Sequence, residues 1–146
     1  MLRLLAFAAS LVFLPSAQAE VATLGEIKAR NAVLLSAAEL VALLPDARIV
    51  QRTVTGSTRR WTNHASGSFV ASSDGFGLMM GGQYDGGTGQ GTWRVDAEQG
   101  RYCVTIQWIR LREDWCRHVF KQGAKYFAFD RFGDDRERGA DWEISR

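Results

Sequence analysis

Residues 89–116 read G-Q-G-T-W-R-V-D-A-E-Q-G-R-Y-C-V-T-I-Q-W-I-R-L-R-E-D-W-C, a stretch that holds three of the five tryptophans and both cysteines. Its period decides the fold. Trp93 and Val95 fall on one face of an alternating run, with Thr92 and Arg94 on the other. Asp96–Gly100 is a polar turn that ends in glycine. Tyr102, Val104, Ile106 and Trp108 then recur at every second residue, the mark of a half-buried strand. Trp115–Phe120 supplies a third run after the Arg110–Asp114 connection. Three consecutive antiparallel strands with an aromatic and β-branched face make a meander packed on one side.

Working outward toward the N-terminus, Met1–Ala19 reads as a signal peptide. Arg3 gives the positive start, Leu4–Leu14 the apolar segment, and Ala17-Gln18-Ala19 the small-x-small cleavage pattern. That apolar segment is shorter than the roughly 20 residues a spanning helix requires. Cleavage between Ala19 and Glu20 leaves an N-terminal arm over residues 20–35 and a single β-rich domain over 36–146. Within the arm, Leu24 and Ile27 suggest no more than a frayed helical turn. Ser36-Ala37-Ala38-Glu39 is a capping box, and Leu40, Val41, Leu43 and Leu44 give the helix it starts an apolar face. Pro45 ends this helix at about Ala37–Leu44, too short to stand without packing on the sheet.

Beyond Asp46 the chain alternates short β-prone runs with turns. Arg48–Thr55, Arg59–Ala65, Ser68–Ala71 and Phe76–Met80 precede the central meander, and Lys125–Asp130 follows it. Asp134–Asp141 reads as a charged, mobile segment whose end could dock through Trp142 and Ile144. The predicted fold is all-β: a small up-and-down antiparallel barrel, or a strongly curved meander, of about eight short strands behind one short N-terminal helix. A sandwich fits the same count, and the short hairpin-like connections favour the barrel. Short strands with charge on both faces argue against a membrane barrel.

A formal net charge of +2 gives no ground for nucleic acid or an anionic surface as partner. In an exported chain, two cysteines read as a disulfide, Cys103–Cys116. The rival, a metal or redox pair, lacks the C-x-x-C or zinc spacing. The bridge would close a loop that stabilises the fold by about 3 kcal/mol.

The elements Ser36-Ala-Ala-Glu39-Leu40, Asp74-Gly75, Gly91-Thr92-Trp93-Arg94-Val95, Tyr102-Cys103-Val104 and Trp115-Cys116-Arg117 together resemble a family of small exported proteobacterial proteins that share a domain of unknown function. In that family a short helix precedes a D-G turn, a G-T-W-R strand and two cysteines. The likeness covers roughly residues 35–130, with Ile109–Asp114 and Gly81–Gly91 standing apart from the pattern. It implies export and one domain, and it implies no activity.

Chemistry-bearing motifs are sparse. The two histidines, His64 and His118, lie on different predicted strands, and no G-x-S-x-G, H-E-x-x-H or phosphate-binding loop occurs. Asp74-Gly75 and Asp85-Gly86 lack the alternating acids of a calcium loop and read as turns. No metal, cofactor or catalytic residue is expected. Gly81–Gly91 holds six glycines in eleven residues. It reads as a flexible hairpin loop or as a loop kept bare for a partner, with Tyr84 as its contact. Trp93 and Trp108 are expected in the core. Tyr84, Trp61, His64 and Trp115 are the candidate ligand- or partner-binding residues. The expected function is non-enzymatic binding of a small apolar or amphipathic molecule or of an envelope protein, in the periplasm or outside the cell. The alternatives are an interaction or inhibitor module that presents the glycine-rich loop, and a hydrolase with an unrecognised site.

Overall fold

The computed structural model describes residues 22–53, 56–75 and 87–146. The signal-peptide reading, the Phe76–Met80 strand and Tyr84 lie outside the described residues. The elements in chain order are α1 (Leu24–Ala29), β1 (Val33–Leu34), α2 (Ala37–Leu43), β2 (Arg48–Arg52), β3 (Thr58–Thr62), β4 (Ser68–Ser73), β5 (Gly87–Asp96), β6 (Arg101–Gln107), β7 (Arg112–Gln122), β8 (Lys125–Phe129) and β9 (Ala140–Ser145).

Strands β2 to β9 are antiparallel neighbours in sequence order, and β9 returns to pair with β2 across Arg48↔Ser145 to Arg52↔Asp141. The result is a closed up-and-down barrel, the form that the short hairpin-like connections favour. The added strand β1 extends the sheet by pairing with Phe120 and Lys121, past the part of β7 that pairs with β6. Closure removes the exposed edges that an open sheet of this length would carry.

Alternation along each strand sends Ile49, Trp61, Phe69, Ala71, Tyr102, Val104, Ile106, Ala128 and Trp142 into the interior, where all are buried. Arg48, Arg60, Thr62, Gln90, Arg94, Arg112 and Asp114 face outward and are exposed. The interior is aromatic. Tyr102 lies 5.7 Å from Trp142 and 5.9 Å from Trp115, and Trp61 lies 6.2 Å from Trp142. Each pair is near edge-to-face, the geometry that ring quadrupoles prefer. Rings of this size bury roughly 150–250 Å² each, so a gross hydrophobic gain of about 4–6 kcal/mol per ring opposes the entropy of ordering it.

Three expectations are corrected. The arm is more than a frayed turn. Thr23 and Glu26 form a second capping box that starts α1, and Leu24 and Ile27 join Phe120, Phe127 and Phe129 in an apolar cluster outside the barrel. The C-terminal region is not a loose tail, because Ala140–Ser145 is the strand that closes the barrel. Ahead of it, Leu24 N donates to Glu137 O at 2.9 Å and Gly25 N to Asp135 O at 2.9 Å, so residues 135–137 are fastened to α1. Finally, Gly87–Gly91 is not loop: it is the start of β5, paired with Phe69–Ser73. A Cβ on Gly91 would stand 2.1 Å from Phe69 Cζ, so this glycine is bare because a core ring lies on it.

Candidate functional site

Helix α2 caps one end of the barrel. Its capping box is complete, with Ser36 N and Ser36 Oγ both donating to Glu39 Oε2 at 2.7 Å. These bonds hold the Glu39 carboxyl below its usual pKa, ahead of a smaller contribution from Lys121. Leu40 and Leu44 point into the barrel and are buried. A chain of hydrogen bonds ties the helix to the core. Trp61 Nε1 donates to Tyr102 Oη at 3.0 Å, Tyr102 Oη donates to Asn63 Oδ1 at 2.9 Å, and Asn63 Nδ2 donates to the Leu44 carbonyl at 3.1 Å. Burial raises the Tyr102 phenol far above its ordinary pKa, so it remains a donor at every physiological pH.

The plug does not fill the rim completely. Between α2 and the ends of β7, β8 and β9 lies a cavity of about 470 Å³ lined by Leu35, Glu39, Ala42, Leu43, Lys121, Tyr126, Ile144, Ser145 and Arg146. Its walls are mostly apolar. The exceptions are Glu39, already engaged with Ser36, and two cations. Lys121 Nζ stands 5.9 Å from the Tyr126 ring centroid. Arg146 Nη2 donates to the carbonyls of Ala42 and Leu43 near the C-terminal end of α2.

Toward the opposite mouth, the described inward-facing groups include a charged pair. Arg59 and Glu113 face inward from β3 and β7 and form a two-pronged pair, Nη1 to Oε2 at 2.8 Å and Nη2 to Oε1 at 2.9 Å. Trp108 Nε1 donates to the same carboxylate at 3.1 Å, and the guanidinium lies over the Trp108 ring at 5.5 Å. Both charges are well shielded, at 10% and 17% side-chain exposure.

The sequence candidates are scattered across this frame. Trp61, expected at a binding surface, is 3% exposed and belongs to the aromatic interior. Trp115 also faces inward, partly buried, with Arg117 over its ring at 4.5 Å. His64 is exposed on the outer side, in an open groove of about 340 Å³ with Arg48, Arg60 and Ser72. His118 stands elsewhere, on the outer face of β7 with its ring 5.6 Å from Phe132. The structure therefore does not bring the two histidines together. Trp108 is core as expected, whereas Trp93 is only partly buried and donates Nε1 to the His64 carbonyl at 2.9 Å. Among the described residues no group of three or more His, Cys, Asp or Glu side chains could hold a metal ion.

Cys103 and Cys116 are directly opposite on β6 and β7 and form a disulfide. It lies on the outer face, beside Arg94, Thr105 and Asp114. A disulfide fits an oxidising compartment outside the cytoplasm, and among the described residues no helix is long and apolar enough to cross a membrane. No family model, curated protein or solved structure matches the chain.

The rim cavity was not among the residues singled out from sequence. Its walls come from four separate elements, and each residue reads locally as ordinary helix or strand. Lys121 gave the one available signal: it continues the inward register of Trp115 and Val119, so a charge falls where the pattern calls for an apolar side chain.

Proposed function

We propose that the protein is an exported, non-enzymatic binding protein that holds a small amphipathic molecule in the cavity between α2 and the β7–β8–β9 rim. One observation carries this reading: an apolar hollow of about 470 Å³ at a barrel end, with a few charged groups at its margin. Ligand sites have this size and character, and barrel mouths are a recurrent place for them. The aromatic packing of the interior directs attention to the rim, since a central ligand would have to displace Trp61, Trp115 and Trp142. The leader pattern of Met1–Ala19, the disulfide and the resemblance to exported proteobacterial proteins support export as part of the same reading. The interaction-module alternative rests on the Tyr84 loop, which lies outside the described residues.

Native mass spectrometry of protein isolated from the cell envelope tests this. The expected spectrum carries a small-molecule adduct that Ala42→Trp removes while the melting temperature holds, because Ala42 is exposed on the cavity wall. An adduct-free protein that co-purifies instead with another polypeptide would overturn it.

A further inference from the structure

Resting on that reading, we infer that the cavity takes an anionic amphiphile: a carboxylate-type head held by Lys121 and Arg146, with an alkyl tail along Leu35, Leu43, Tyr126 and Ile144. The assignment comes from the charges that line the hollow and from what each already touches. Glu39 is the sole acid in the lining, and its carboxylate accepts from both the backbone and the hydroxyl of Ser36. It is turned to the start of α2 and serves the capping box there.

The two cations are differently placed. Lys121 is exposed at the rim, lies over the Tyr126 ring, and forms no salt bridge among the described residues. Its position on β7 is opposite Tyr126 on β8, so its stem runs along the apolar wall while the ammonium stays at the mouth. Arg146 bonds to α2 through Nη2 alone, and a guanidinium has five N–H donors. The side chains of the lining therefore carry one more positive than negative charge, with donors uncommitted at the margin and carbon below them. A neutral lipid-like molecule would use the carbon and leave those donors to water. A cationic one would meet repulsion from both. An anion with a flexible tail uses both parts.

The measurement is calorimetry on the whole purified protein with a series of n-alkanoates below their micelle concentrations, each compared with the n-alkanol of equal chain length. Affinity should rise about fourfold for each added methylene until the tail fills the cavity, then level off. Each alkanoate should bind about fivefold more tightly than its alkanol at low salt, as expected for an exposed ion pair, and added salt should erase the difference. Lys121→Met should shrink the alkanoate advantage to the part that Arg146 supplies, and an advantage that stays whole in this variant overturns the role of Lys121. Equal affinity for both series in the wild-type protein overturns the head-group assignment and leaves the cavity reading standing. A carboxylate preference with no increment per methylene overturns the tail. Failure of both series to bind, or binding that survives Ala42→Trp, overturns the cavity reading itself and the inference with it.

Discussion

The two ends of the barrel solve the same problem with opposite chemistry. At one end a helix is laid across the opening and is tied to the core through Trp61, Tyr102 and Asn63. At the other, Arg59 and Glu113 meet across the interior under Trp108. A helix is a rigid cylinder, and it meets a curved rim imperfectly. The gap it leaves is the cavity beside Leu43 and Ile144. A side-chain pair adapts its rotamers to the opening and packs against a ring, as Arg59 and Glu113 do against Trp108.

The charged end offers the largest effect. Removing one partner of a shielded pair takes its two-pronged counter-charge from the other. Glu113→Ala or Arg59→Ala should each destabilise by about 3–5 kcal/mol in urea unfolding, whereas the double change Arg59→Met with Glu113→Leu should cost less, about 1–3 kcal/mol, because it removes both charges and leaves only Trp108 Nε1 without its acceptor. If the two single variants cost no more than an exposed pair, about 1 kcal/mol or less, the mouth is hydrated and the contrast between the ends collapses.

The disulfide comes next, and it belongs to neither end. It joins the middle of β6 to the middle of β7. Cys103→Ala with Cys116→Ala should cost about 2–4 kcal/mol. Thiol titration of the unfolded, unreduced wild-type protein should find no free thiol. Two free thiols would remove the bridge from the stability of both ends.

The capped end should respond more mildly. Tyr102→Phe keeps the ring and deletes one hydroxyl, which leaves Trp61 Nε1 without its acceptor and Asn63 Oδ1 without its donor. A loss of about 1–3 kcal/mol with an unchanged urea slope is expected. A smaller loss would mean that the apolar contacts of Leu40 and Leu44 hold the helix without the hydrogen-bonded chain.

The same contrast explains what could be read from the chain. The strands were legible because alternation is a local signal, and Tyr102-x-Val104-x-Ile106-x-Trp108 can fill a barrel in only one register. The Ser36 box was legible for the same reason. The Thr23-x-x-Glu26 box carries an equal signal, but the weak apolar pattern after it made α1 easy to discount. Gly89 and Gly91 read as loop from composition, which does not say why a glycine is bare. Here the reason is a neighbouring side chain, the Phe69 ring at Gly91 and Ile106 with Trp108 at Gly89. β9 was hidden by the charged run ahead of it, although Trp142 and Ile144 already had strand period. The pairing of Arg59 with Glu113, and the walls of the cavity, join residues far apart in sequence. They follow from barrel closure, which no local pattern encodes.

The smallest effect sharpens the comparison through pH. His118 lies on the outer face of β7, with Nδ1 buried and without a hydrogen-bond partner. Burial lowers its pKa below the ordinary 6.5, Arg101 lowers it further, and Glu137 and Asp96 offset part of this. Phe132 covers the ring from the 130–139 segment. The unfolded chain therefore binds a proton on this residue more readily than the folded one. It follows that His118 contributes its full share of stability above pH 6.5, and that this share is lost as pH falls toward the lower, folded-state value. Solvent screening keeps the loss on the order of a few tenths of a kcal/mol. The carboxylates of Glu39, Asp74, Asp96 and Asp114 have lowered pKa values. Their contributions persist to more acidic pH and vanish only as pH drops through those values, so the two windows separate. Asp96 and Arg101 flank the turn that reaches α2, where a Cβ on Gly100 would stand 3.7 Å from Ala37 N. Protonating His118 thus adds charge near the capped end and leaves the Arg59–Glu113 mouth untouched. Urea midpoints measured from pH 8 downward should show a shallow decline below about 6.5 that His118→Gln abolishes. If the decline persists in that variant, the titrating group lies elsewhere and the capped end is no more pH-sensitive than the mouth.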